Sequence, residues 1–336
     1  MALKAAVVIL NWNGWSDTID LLNSLEEVDY QSLSVVVIDN ASSDESVERI
    51  EEWMRQSQSP YLVLQTPKDL QEGALENIAS KMGSLGPGFN LVCSHTNLGF
   101  CRGNNLGMEL AFQSGIDIAV VLNNDTLVSK GFLAPMVDVV ENNPDVGVVG
   151  GVITYCSDPN IIWYAGGKFN RFLTAHRLGN GEPLSSLKAT GPFDTEWISG
   201  CMTLIPAWVY EKTKGFSEEY FIWSEEWDHS LRVSQAGYRL VVVPAARICH
   251  KIGKSLGVMK PLNYYYGIRN GLLFQRKFLP SYLWYPYFGY YLVNRAVRYL
   301  QLALAGRADL ALAGFAAIRD FILGRSGMWR AQKRNF

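Results

Sequence analysis

The sequence predicts an α/β fold: a mostly parallel sheet flanked by helices, then a helical C-terminal extension rich in aromatic and basic residues. Three observations carry that expectation. Short β-branched runs alternate with segments of helical period across short links, the pattern of parallel strands joined by crossover helices. The apolar runs end abruptly in asparagine or aspartate, most sharply where Ile118-Ala119-Val120-Val121-Leu122 meets Asn123-Asn124-Asp125. From Lys260 onward, twelve lysines and arginines face two aspartates, whereas residues 1–259 carry 18 basic and 30 acidic side chains.

The elements follow in order. Ala5–Leu10 is a first strand, ending at Asn11-Trp12-Asn13-Gly14. A helix follows with Ser16 as its expected N-cap and Ile19, Leu22 and Leu25 on one face. Leu33–Ile38 is a second strand, ending at Asp39-Asn40, and Ser42-Ser43-Asp44 is expected to cap a helix carrying Val47, Ile50 and Met54. Residues 56–90, broken by Gly73, Gly83, Gly86, Pro87 and Gly88, read as an insertion or long loop. Leu91–Ser94 is a third strand, and Asn97-Leu98-Gly99-Phe100 reads as a turn before a helix from about Asn104 to Ser114. The strand ending at Asn123, a helix over about 131–141 and a strand over 146–152 come next. Residues 153–200, rich in glycine, aromatic and polar side chains, allow only short strands. Cys201–Ile205 is a strand, Ala207–Thr213 a short helix, and Ser224 is expected to cap a helix that stops before Gly237. Leu240–Pro244 is the last strand, with Arg247–His250 trailing from it.

At 336 residues the chain exceeds the size at which a single core stops growing, so a main domain with an appendage, or two domains, is expected. Its 48% apolar and 18% charged content excludes disorder for most of its length. Five cysteines, with no CxxC pair, read as reduced cytosolic thiols. Met1 to Leu10 enters the first strand directly, with no secretory leader pattern, so a cytosolic location is expected. Phe278 to Asn294 is uncharged but contains Pro280 and Pro286. Its tyrosines and tryptophan, with Arg295 and Arg298 beyond, suit a membrane interface better than a span of ~20 apolar residues, or else a helical subdomain packed on the catalytic core.

Polar groups gather at strand ends: Asn11 and Asn13, Asp39, Asn97, Asp125 and His250. Open α/β sheets bind ligands at that edge. Asp125 offers a divalent cation hard oxygen ligands, or closes its strand as an Asx turn. His250 offers a metal a neutral imidazole, or is a structural histidine. Asp39 suits a ribose or base edge, or a capping network with Ser42 and Ser43. Asn97 to Asn105, with Gly99 and Arg102, suits an anion before a helix N-terminus. Glu225, Glu226 and Asp228 either complement the helix dipole or hold one carboxylate ready as a general base. Trp163, Trp197 and Trp227 either stack on a sugar or pack the core. There is no Gly-x-Gly-x-x-Gly after the first strand and no Gly-x-x-x-x-Gly-Lys, so dinucleotide oxidoreductase and P-loop readings lose their main support.

The order and spacing of VVILNWNG, VVVIDNASSDES, NLGFCRGNN, VVLNNDT, WISGCMTLIP, FIWSEEWDHSLR and GYRLVVVP resemble glycosyltransferase family 2, of GT-A fold, near its bacterial rhamnosyltransferase-like members. The resemblance covers roughly residues 4–255, and the stretch Tyr264 to Lys277 is also similar. It implies a catalytic domain over 1–258, with a nucleotide-binding half near 1–126 and an acceptor-side half near 127–258, and a helical membrane-associating region over 259–336. It implies a divalent cation, Mg2+ or Mn2+, on Asp125 and His250 with a weaker contact from Asn123. Asn11, Asn13, Asp39, Asn97, Gly99, Arg102, Asn105 and Asn124 would hold a nucleotide diphosphate sugar, and Trp163, Trp197 and Trp227 the acceptor. Glu226 falls where the family has its catalytic acid, between Glu225 and Asp228. The implied reaction is inverting transfer from a UDP- or dTDP-sugar, dTDP-rhamnose among them, to a hydroxyl of a cell-envelope glycan or lipid-linked saccharide. The enzyme would sit at the cytosolic face of the inner membrane, with no nucleic-acid partner. The alternative is a non-catalytic sugar-nucleotide or glycan-binding protein of the same fold.

Overall fold

The most apolar runs of the sequence become the centre of one large sheet. The computed structural model describes residues 3–67, 72–251 and 260–329. The first half alternates β1 (Ala5–Asn11), α1 (Trp15–Glu26), β2 (Leu33–Asp39), α2 (Ser46–Gln56), β3 (Tyr61–Gln65), α3 (Glu72–Leu85), β4 (Phe89–Cys93), α4 (Gly99–Gln113) and β5 (Ile118–Asn123). The second half contains β6 (Thr126–Val128), α5 (Ala134–Asn142), β7 (Val146–Tyr155), β8 (Asp158–Tyr164), β9 (Gly167–Phe169), β10 (Ala175–Arg177) and β11 (Phe193–Asp194). It closes with β12 (Met202–Pro206), α6 (Ala207–Thr213), α7 (Glu225–Gln235) and β13 (Arg239–His250). Three helices follow: α8 (Pro261–Phe278), α9 (Ser281–Leu304) and α10 (Ala308–Ile322).

The sheet runs β11-β13-β7-β12-β5-β1-β2-β4-β3, with β6 on β13 and β8 on β7. The β1, β2, β3, β4 and β5 pairings are parallel, and β12 is inserted antiparallel between β5 and β7. This is the GT-A arrangement, a mostly parallel sheet with helices on its faces. Val7, Val8, Ile9, Val36, Val37, Val120 and Val121 are fully buried, as strands covered on both faces require.

Residues 56–90 are not a long loop. They hold edge strand β3 and helix α3. Leu75, Ile78, Ala79 and Met82 recur at helical spacing and form the face that α3 buries against Val36, Val92 and Leu106. Helix α4 starts at Gly99, five residues earlier than expected, so the glycines of Asn97 to Asn105 act inside the helix. A Cβ on Gly103 would meet Leu10 at 2.4 Å and one on Gly107 would meet Val8 at 2.4 Å, so bare glycines bring α4 against the sheet. Ser16 does not cap α1, whose N-cap is Gly14, and Ser224 stands at the N-cap of α7 without a side-chain bond.

The reading of all cysteines as thiols also fails: Cys156 and Cys249 form a disulfide between the ends of β7 and β13, while Cys93, Cys101 and Cys201 are free and buried. The pairing follows from register, since His250 lies opposite Tyr155. The expected domain boundary at 258/259 lies outside the described residues. On its far side, Phe274 of α8 belongs to the main core, while Tyr265, Tyr266, Trp284, Tyr299 and Leu310 build a second core among α8, α9 and α10. Among the described residues no helix is long and apolar enough to cross a membrane.

Candidate active site

Register brings the polar strand ends together. Asn11 lies opposite Asp39, and Leu10 opposite Asn123. Asp39 is 2% exposed and its carboxylate is occupied: Oδ1 accepts from Asn11 Nδ2 at 2.8 Å and Ser42 Oγ at 2.6 Å, and Oδ2 from Ser42 N at 3.0 Å. Asn13, at a φ of 52°, accepts from Ser43 N at 2.7 Å. Asn124 donates to Gly14 O at 3.3 Å and Thr18 Oγ1 at 3.2 Å. These residues therefore shape the loops around the edge. Asn11 is fully buried and also accepts from Thr18 Oγ1, so it too is a fastener.

The start of α4 is not an open anion site. Gly99 N donates to Asn97 Oδ1, and Phe100 N and Cys101 N both donate to Phe221 O. Arg102 pairs with Glu109 and Glu218, and Asn105 exchanges two hydrogen bonds with the backbone of Phe216. The first donors of this helix end are thus satisfied by Asn97 and by the loop before α7.

Asp125 and His250, 125 positions apart, meet with Nε2 and Oδ1 2.9 Å apart. The turn after β5 supplies the aspartate; pairing of β13 with β6, which sets His250 opposite Thr126, supplies the histidine. The ring of Trp163 lies edge-on to His250 at 4.9 Å and fixes its orientation. Adjacent ligands on one octahedral Mg2+ at ~2.1 Å lie about 3 Å apart, so the spacing of this pair fits such an ion. Among the described residues no group of three His, Cys, Asp or Glu side chains could hold a metal. A cation held here would take only part of its coordination from these two side chains. The side chain of Asn123 adds an amide at the strand end, while its N–H donates to Cys201 O at 3.2 Å.

Glu226 is reached through that same contact. Gly200 N donates to Glu226 Oε2 at 2.7 Å, and the next residue, Cys201, receives Asn123 N. Two residues, Gly200 and Cys201, therefore link the Glu226 carboxylate to the end of β5. Burial pushes the pKa of Glu225 and Glu226 above the ordinary glutamate range, and the charge of Glu226 raises Glu225 further. Gly200 N and the Arg177 guanidinium partly offset the rise at Glu226.

The segment presenting these glutamates is unusual in backbone and support. Phe221, Trp223 and Ser224 all have positive φ, near 70°. Helix α8 holds them in place. Asn270, fully buried, donates to Tyr220 O, Ile222 O and Trp223 O, and Arg269 donates to Tyr220 O and Gly327 O. Asp228 is fully buried and bound by Tyr220, Arg232 and Lys277, which makes it a fastener of the same segment and not a second base.

The three tryptophans part company. Trp197 is 3% exposed and packs on Tyr164 and Trp227, so it is core and not an acceptor platform. Trp227 is half-buried against Phe274. Trp163 lies at the site, with the guanidinium of Arg177 4.5 Å over its ring. Exposed Trp223, two residues before Glu225, and Arg177 were not singled out in the sequence. Nor were Arg269 and Asn270, which lie in the stretch already similar to the family.

The sequence profile described as "Glycosyltransferase like family 2" matches residues 4–262. An N-acetylglucosaminyl-diphospho-decaprenol L-rhamnosyltransferase of Mycobacterium tuberculosis is 28% identical over 199 residues, 51% of this chain and 61% of that protein. The dTDP-rhamnosyl transferase RfbF of Shigella flexneri is 19% identical over 196 residues, 56% of this chain and 63% of that protein. An uncharacterized Mycobacterium tuberculosis protein is 50% identical over 54 residues, 16% of this chain and 20% of its own length. The chain thus spans between a fifth and about three fifths of the curated relatives it matches. Among solved structures, GalNAc-T7 with UDP, GalNAc and Mn2+ has a TM-score of 0.57 at 17% identity, covering 80% of this chain and 47% of that one. Staphylococcus aureus TarS 1-349 has a TM-score of 0.50 at 16% identity, covering 81% and 65%.

Proposed function

The chain belongs to the glycosyltransferase-like family 2, and from that premise we propose that it is an inverting glycosyltransferase. Its donor is a UDP- or dTDP-sugar, dTDP-rhamnose first among them, and its acceptor a hydroxyl of a cell-envelope glycan or lipid-linked saccharide. The observation that carries this reading is the convergence at the end of β5: Asp125 against His250 at 2.9 Å, and Glu226 linked to Asn123 through Gly200 and Cys201. Two relatives that are rhamnosyltransferases by name support the donor.

Asp125 and His250 would hold Mg2+ or Mn2+, which when bound neutralises the charge that develops on the leaving diphosphate. Gly200 N fixes Glu226 Oε2, leaving Oε1 without a partner among the described residues. Oε1 accepts the proton of the acceptor hydroxyl as that oxygen attacks the anomeric carbon on the face opposite the diphosphate. The raised pKa of Glu226 suits a base, since the proton is taken up without a strong penalty. Trp163 and the exposed ring of Trp223 offer the acceptor sugar apolar faces. Arg177, spread over Trp163, keeps a positive charge near the base.

The enzyme would work at the cytosolic face of the inner membrane. Supporting this is the outer face of α9, where Tyr282, Tyr285, Val293, Val297, Leu300 and Leu304 are exposed at helical spacing, with Arg298 beside them. Glu226→Gln tests the reaction. Turnover of the nucleotide sugar should fall at least a hundredfold with nucleotide affinity unchanged, whereas a binding protein has no turnover to lose.

A further inference from the structure

A cavity of about 630 Å3 lies among the three C-terminal helices, apart from Asp125, His250 and Glu226. Its apolar wall comes from Leu273 of α8, Trp284 and Phe288 of α9, and Phe321 of α10. Tyr285 and Ile322 also line it, and both are more than 60% exposed, so the cavity opens on the apolar surface of α9 and α10. Its polar border is Arg276, Lys277 and Glu219. Lys277 is engaged, reaching Asp228 at 2.5 Å and Glu219 at 3.4 Å. Arg276 is exposed, lies 6.0 Å from the Trp284 ring, and pairs with no carboxylate among the described residues.

We infer that this cavity binds a single-chain lipid phosphate, with the hydrocarbon against Trp284, Phe288 and Phe321 and the phosphate on Arg276. The inference rests on the lipid-linked acceptor reading and supplies its lipid end. Three features select this occupant. The volume falls in the range of small-ligand pockets and takes one chain segment. An unmatched guanidinium beside an apolar wall complements an anionic head on a hydrocarbon tail, and guanidinium is the side chain best suited to phosphate oxygens. The opening faces the surface assigned to the membrane, while Lys277 joins the border to Asp228, two residues beyond Glu226. A lipid phosphate held there enters from the bilayer and presents its head next to the helix that carries the base.

The test uses the full chain and farnesyl phosphate, farnesol and inorganic phosphate, each titrated calorimetrically below micelle formation. Farnesyl phosphate should bind at least tenfold tighter than farnesol, and inorganic phosphate should not compete. Arg276→Glu should remove the tenfold difference, and Phe288→Asp should abolish binding of both farnesyl ligands, with nucleoside diphosphate affinity intact in each variant. Equal binding of farnesol and farnesyl phosphate, an unchanged Arg276→Glu titration, or competition by inorganic phosphate overturns the inference. Transfer to a lipid-free saccharide separates the two readings. If it proceeds while farnesyl phosphate does not bind, only the cavity assignment is wrong; if no acceptor supports transfer, the reaction itself is.

Discussion

Glu225 and Glu226 place two carboxyl groups in one poorly hydrated segment, and Glu225 Oε2 is buried with no hydrogen-bond partner among the described residues. Burial raises both pKa values, so the folded chain keeps protons that the unfolded chain releases above about pH 4.5. The stability this contributes is fully present below that pH and is lost as pH rises through the raised values. Glu225→Gln removes one of the charges. Its Tm should therefore match the wild type near pH 4 and exceed it increasingly toward pH 8, as scanning calorimetry across that range would show. The same residues show what a sequence can and cannot display. The types and order of Asp125, Glu226 and His250 could be read directly, because chemistry is written in side-chain identity. Whether Trp197 faces a sugar or the core could not, because Trp163 and Trp197 differ only in what the fold packs over them. Asp228 and Arg102 look like site groups in the sequence for the same reason, and the fold instead supplies each with ion partners.

At the level of elements, β1, β2 and β5 were legible because strands buried on both faces read as unbroken apolar runs. Edge strand β3 is only partly buried and α3 contains glycines, so the stronger turn signals around them hid both. The disulfide depends on β7 and β13 running side by side, which spacing in the chain does not reveal. The clamp of α8 on the segment before α7 was equally hidden, since Asn270 reaches carbonyls 47 to 50 positions away. That clamp binds the carbonyls of Tyr220, Ile222 and Trp223 around the positive-φ residues Phe221, Trp223 and Ser224, where the backbone would otherwise relax. Asn270→Ala removes the Asn270 donor from the part-buried carbonyls of Ile222 and Trp223, while Tyr220 O keeps Arg269, a loss of about 1–3 kcal/mol by the usual cost of such groups. The expected kinetic result is a tenfold or larger fall in kcat with the donor KM unchanged, because the residues proposed to hold the donor lie on other elements. A fall confined to donor KM would place the clamp on the wrong half of the site.

Across the whole molecule, the chain pairs a sheet edge that gathers carboxylates with a helical extension that carries net positive charge and an exposed apolar face. Such a face can hold a protein at an anionic bilayer without spanning it, each nearby Lys or Arg contributing ~1 kcal/mol. Vesicles containing a third anionic lipid should sediment the wild-type chain at low salt. Val293→Asp with Leu300→Asp should leave it in the supernatant with its melting curve unchanged, and equal sedimentation of the two proteins would remove the membrane role from α9. The central claim, a cation-assisted nucleotide-sugar site built on Asp125, is tested most directly by thermal shift with a UDP- or dTDP-sugar, with and without Mn2+. Ligand at a hundredfold excess over its Kd stabilises by about 2.7 kcal/mol. The account predicts a rise in Tm only when sugar nucleotide and Mn2+ are present together, lost in Asp125→Ala and partly kept in Asn123→Ala. The same rise without Mn2+, or an undiminished rise in Asp125→Ala, would contradict it.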